Sequence, residues 1–107
     1  MAEKLDARRL RAAVKAGRIE WQRHALERMA ERNIPQAAVK AALLKADRIE
    51  EYPDAYPLPA ALFLGRFGER PLHVVAAVDV GAPKVYVVTA YEPTLQHFEP
   101  DFRKRRK

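Results

Sequence analysis

The sequence predicts an α+β fold: two to three N-terminal helices packed on a three- to four-stranded antiparallel sheet. Three observations carry that expectation. Apolar residues recur at helical spacing up to about Ala46, and from Asp47 onward they alternate with polar ones as in strands. Between the two halves, the prolines of the stretch from Tyr52 to Pro59 forbid continuous helix and favour an extended loop. At 107 residues, 49% of them hydrophobic, the chain reads as one domain over its whole length, with enough material for a core that needs no staples.

The elements follow in order. Leu5 to Ala16 is the first helix, with Asp6 near its start, Gly17 at its end, and Leu5, Leu10 and Val14 for its apolar side. Ile19 and Trp21 then alternate with Glu20 and Gln22, an extended approach to a second helix from His24 to Arg32, which Asn33 stops. Pro35 fits the first turn of a third helix, where its missing N–H does no harm, and the alanine-rich run to Ala46 has high helix propensity. Ile49 to Tyr52 reads as an edge strand. Ala61 to Phe67 is a clear strand, Gly68-Glu69 turns the chain, and Pro71 to Asp79 returns antiparallel to it. After a turn at Val80 to Pro83, the valine- and tyrosine-rich run from Lys84 to Tyr91 is the last strand, and Pro93 takes the chain out of the sheet.

Composition removes several functions. Without cysteine or serine there is no disulfide, thiolate metal site or serine nucleophile, and four glycines supply neither a P-loop nor a dinucleotide fingerprint. His24, His73 and His97 show no metal-ligand spacing, so neither a metal nor another cofactor is expected. The chain has no signal-peptide core and no apolar run near the roughly 20 residues that span a bilayer, so the expected location is the cytoplasm, away from membranes. The net charge of +6 is concentrated at the end: residues 101–107 carry five cations and one acid, and the rest is nearly balanced. Such a mobile basic tail suits RNA or DNA phosphates through Arg103, Arg105 and Arg106, or an acidic protein, or merely keeps the chain soluble.

His24, Arg28 and Arg32 stand at intervals of four on the second helix and form one cationic stripe bordering the sector of Leu26, Met29 and Ala30. It is either a rigid site that pairs a proton-transfer group with two anion ligands, or a solvated face with Arg23–Glu27 and Arg28–Glu31 ion pairs. On the strands, register decides what meets. A three-residue loop from Gly81 to Pro83 places His73 opposite Tyr91 and Val75 opposite Thr89, whereas a four-residue loop slips the pairing by one and moves His73 to another face than Tyr91. A tight turn between Phe67 and Arg70 pairs Leu64 with His73, making it a mid-sheet histidine, bonded in the core or active there. Phe98 and Phe102 either dock the exit segment or form a base-stacking strip.

Histidine, tyrosine and arginine together suffice for metal-independent RNA cleavage, with a base for the 2′-hydroxyl, an acid for the departing 5′-oxygen and guanidinium forks on the phosphate. The succession Arg23-His24-Ala-Leu-Glu-Arg28-Met-Ala-Glu-Arg32, then Arg70-Pro-Leu-His73-Val-Val, then Thr89-Ala-Tyr91-Glu92-Pro93 resembles a widespread family of small prokaryotic domains of unknown function. More distantly the chain is similar to the RelE and BrnT ribonuclease toxins, within a RelE/barnase-like class. That resemblance implies an endoribonuclease with a cognate antitoxin. His24, Arg28, His73 and Tyr91 would be its catalytic residues, converging between helix and sheet, and Arg32 and Thr89 would bind substrate beside them. The alternative is a non-catalytic module that binds nucleic acid or protein through the basic tail.

Overall fold

The computed structural model describes residues 7–55, 58–79 and 84–105. Three helices, α1 (Ala7–Lys15), α2 (Arg23–Glu31) and α3 (Gln36–Leu44), cover one face of a sheet built from β1 (Ile19–Trp21), β2 (Asp47–Tyr52), β3 (Ala60–Phe67), β4 (Arg70–Asp79) and β5 (Lys84–Tyr91). The fold is α+β, but the sheet has five strands and is mixed. The order is β1-β5-β4-β3-β2, and β1 lies parallel to β5 with Ile19 opposite Val85 and Trp21 opposite Val87. The expected three or four antiparallel strands are corrected by this edge. The alternation at Ile19 and Trp21 marks an extended segment but not its partner, which lies more than sixty residues downstream, so only the folded sheet recruits it.

Helix ends are set by backbone conformations that a few residues tolerate. Gly17 (φ 74) follows α1, where Arg18 N donates to Ala13 O at 2.9 Å and Gly17 N to Val14 O at 3.1 Å. Asn33 (φ 56) does the same for α2: Ile34 N reaches Met29 O at 2.9 Å and Asn33 N reaches Ala30 O at 3.3 Å. Both pairs are Schellman caps, and the second brings buried Met29 and Ile34 together as that motif favours. On α2 the buried residues are Ala25 and Met29, whereas Leu26 is half-buried and Ala30 exposed. The apolar sector is thus turned by one residue from the expected one.

Leu72, Val74, Ala76 and Val78 of β4, with Ala61 and Phe63 of β3, form the inner face under the helices. Gly68 (φ 63) begins the two-residue turn that pairs Phe67 with Arg70 and, further in, Leu64 with His73. The hairpin of β4 and β5 holds two registers at once. Beside the loop Asp79 pairs with Lys84 and Ala76 with Val87; beyond a bulge at Val88, Val75 pairs with Thr89 and His73 with Tyr91. The loop itself, residues 80–83, lies outside the described residues, as do Leu5, Asp6 and Arg106 of the expectations above. Inward positions on β5 accordingly step from Val85 and Val87 to Ala90. Among the described residues no helix is long and apolar enough to cross a membrane.

Candidate functional site

After Pro93 the chain folds back across the outer face of the sheet. Thr94 O accepts from Phe98 N at 3.0 Å, Phe98 is buried, and its ring meets the His73 ring edge-on with centroids 4.4 Å apart. Phe102, with φ 59, turns the segment so that Phe98 and Arg105 form a β-bridge. Ion pairs pin it to β2: Arg103 with Asp47 at 2.6 Å and Arg105 with Glu50 at 2.8 Å, the Arg105 guanidinium also lying 5.0 Å from the Phe98 ring centroid. Phe98 therefore docks, and its ring is taken up by the core. Residues 101–105 of the basic end place two of its cations on acids of the body.

His73 is fully buried and has a partner on each nitrogen: the Phe102 carbonyl oxygen 2.7 Å from Nε2, and the Tyr91 hydroxyl 3.3 Å from Nδ1. A carbonyl only accepts, so Nε2 carries the proton and Nδ1 of the neutral ring accepts from Tyr91. Burial pushes the His73 pKa down against the opposing pull of the Phe102 carbonyl, which suits the neutral form. Burial likewise pushes the Tyr91 hydroxyl up, so it stays protonated. For Glu50 burial acts to raise the carboxyl, but hydrogen bonds from Arg105 and Tyr52 outweigh it and hold the group below the usual carboxylate range.

Arg32 is the C-cap of α2, and its Nη1 donates to Ala90 O at 2.9 Å, fixing the guanidinium beside the end of β5. Next to it a cleft of about 360 Å³ is lined by Arg32, Tyr91, Glu92, Thr94, His97 and Phe98. Arg70 braces this corner by an ion pair with Glu92 and a 3.2 Å bond to Asn33 O. The cleft thus joins Arg32 and Tyr91, with His73 directly behind the Tyr91 hydroxyl. His24 and Arg28 do not line it. They are exposed on preceding turns of α2, Arg28 pairing with Glu31 at 3.5 Å and Arg23 with Glu27 at 3.3 Å. Thr89 pairs with Val75 on the strand that carries Tyr91, partly exposed. In the sequence His97 stands out only as a histidine without metal-ligand spacing; its place in the cleft depends on the turn after Pro93, which no periodicity reveals. Among the described residues no group of three or more histidine, cysteine, aspartate or glutamate side chains could hold a metal ion.

Fold and site together define a small α+β domain with an arginine-, histidine- and tyrosine-lined cleft where α2, β5 and the C-terminal segment meet. The chain belongs to the DUF4258 family, a domain of unknown function, which it matches over residues 21–92. No curated protein and no solved structure matches it. The matched span contains Arg32, His73 and Tyr91, while His97, Phe98 and Arg105 come from the segment beyond it.

Proposed function

We propose that the protein is a metal-independent endoribonuclease of the toxin kind and that the cleft of Arg32, Tyr91 and His97 is its active centre. The observation that carries this reading is the meeting of a fixed guanidinium, a protonated phenol and an exposed imidazole around one cleft, with a buried histidine bonded to the phenol. Arg32 binds the scissile phosphate. His97 takes the proton of the 2′-hydroxyl as that oxygen attacks phosphorus; the bond to the 5′-oxygen breaks, and the leaving oxygen receives the Tyr91 proton as the hydroxyl turns from His73 Nδ1 toward it, after which solvent reprotonates Tyr91 and takes the proton from His97. The products are a 2′,3′-cyclic phosphate and a 5′-hydroxyl. His73 is a positioning residue that anchors the Tyr91 side chain by accepting from its hydroxyl at rest. Arg28 and His24, each about 6 Å further back along α2, meet flanking phosphates, and Thr89 bonds to the same strand of RNA. A cognate antitoxin protein that covers the cleft is the partner such an enzyme requires.

The test is growth and total RNA after induced expression, with purified protein incubated with RNA in a chelator alongside. Wild type should arrest growth and leave cyclic-phosphate ends. His97→Ala should lower cleavage by about 10²-fold or more at unchanged thermal stability, and Arg32→Ala and Tyr91→Phe by about 10²-fold in protein shown by a melting curve to be folded, since each also removes a hydrogen bond. Intact RNA with folded wild type overturns the enzyme and leaves a binding module.

A further inference from the structure

Charge in the folded chain is not distributed as the sequence total suggests. In the basic end, Arg103 and Arg105 are spent on Asp47 and Glu50. The other end of the chain is basic as well. Helix α1 reads Ala-Arg-Arg-Leu-Arg-Ala-Ala-Val-Lys, four cations in nine residues, and no acid occurs from Ala7 to Ile19. Even with Glu3 and Asp6 included, residues 1–18 hold six cations against two acids. The apolar residues of α1, Leu10, Ala13 and Val14, are buried in the core, so its outer side consists of arginine, lysine and alanine. Arg8, Arg9, Arg11 and Lys15 surround Ala12 in a shallow depression of about 550 Å³.

We propose that this side of α1 is a docking surface for the phosphate backbone of a nucleic acid. Arg11 and Lys15 are one turn apart and Arg8 to Lys15 spans about 10 Å, so the helix presents a fixed row of cations to an anion that repeats along its length. Guanidinium forks suit phosphate oxygens, and packing of Leu10, Ala13 and Val14 holds the row rigid. A membrane surface fits less well, because a helix that lies in a bilayer interface needs exposed apolar residues and α1 has spent its own on the core. None of the α1 residues lines the cleft of Arg32 and Tyr91, so docking here stands whether or not that cleft cleaves.

The experiment is fluorescence anisotropy with the full chain and a labelled single-stranded RNA of mixed sequence across a salt series. Three double variants are compared after a melting curve shows each folded: Arg11→Gln with Lys15→Gln, Lys40→Gln on α3 with Lys45→Gln at its C-cap, and Arg103→Gln with Arg105→Gln. Removing the two α1 cations should weaken binding about tenfold or more near physiological salt and reduce the salt slope by about 1.4, at 0.7 per phosphate contact on a single strand. The α3 pair should bind within about twofold of wild type, because its loss of charge is equal but lies elsewhere. Equal weakening by the α1 and α3 pairs, or weakening by the C-terminal pair alone, overturns the assignment. So does polyglutamate or an anionic vesicle displacing the RNA at equal charge, which would point to an acidic protein or a membrane instead.

Discussion

The two faces of the sheet are dry for different reasons. The inner face is apolar and lies under helices; Phe63, Leu72, Val74 and Val87 are all nearly or fully buried there. At the opposite face a histidine is fully buried alongside Leu62, sealed by Phe98 and bonded to Tyr91 and the Phe102 carbonyl. Further along the outer face the cover ends, and a cleft of about 500 Å³ lies over Tyr52, Ala60, Val75, Ala77, Tyr86 and Val88, with no cation in its lining. Burial on the inner face comes from shape, and on the outer face from satisfied polar groups. The two clefts also differ in charge: Arg32 and His97 line the one where the outer face meets the end of α2, whereas the other holds Asp79 and two tyrosines but no cation.

The difference can be broken from either side. The largest effect is expected on the inner face at Gly65, where an added Cβ would sit 2.5 Å from Ala42 O and 2.7 Å from Ala42 Cβ. Because α3 backbone is what must yield, Gly65→Ala should cost about 3 kcal/mol and lower the Tm by roughly 10 to 20 °C in a calorimetric scan. On the outer face His73→Ala should cost about 2 to 3 kcal/mol, chiefly by leaving the Phe102 carbonyl and Tyr91 hydroxyl unpaired, and should speed amide exchange over residues 98–105 while the inner face stays protected. If the slowest-exchanging amides of β4 open equally, the two faces are not separable.

A smaller effect is set by pH. His73 titrates lower folded than unfolded, so above its unfolded value of about 6.5 it is neutral in both states and contributes no slope. As pH falls below that value the unfolded chain takes up the proton first, and stability declines until the folded pKa is passed. Urea unfolding between pH 7 and pH 5 should show this decline in wild type and lose it in His73→Phe. The Glu50 carboxyl, held low by Arg105 and Tyr52, adds its own loss only further down, as pH falls through its depressed folded value. The smallest change is expected for Arg105→Ala, which removes an ion pair with Glu50 and the contact over Phe98. It should cost about 1 kcal/mol, less in high salt, seen as faster proteolysis of the C-terminal segment with little shift in Tm.

Much of the fold is legible residue by residue. Periodicity separates the helical half from the strands, Gly68 marks the β3–β4 turn, and Asn33 ends α2 because it accepts the left-handed conformation a Schellman cap demands. The stripe of His24, Arg28 and Arg32 is also legible, but not which of its members matters. Only Arg32 occupies the C-cap, where its side chain reaches Ala90 O. By loop length alone the two registers exclude each other; the bulge at Val88 lets each hold at one end of the same hairpin. A bulge leaves no mark in a run of valines, since the extra residue is chemically like its neighbours.

By itself the sequence determined the fold class, the helix caps, the β3–β4 pairing and the residue types able to handle phosphate, because these depend on local conformation and on chemistry carried by single side chains. Tertiary structure alone decided that β1 joins the sheet in parallel, that the C-terminal segment returns over His73, and that Arg32, Tyr91 and His97 share a cleft. Those are contacts between parts of the chain far apart in sequence. Their free energy depends on what each surface finds to cover it, and no local pattern records that.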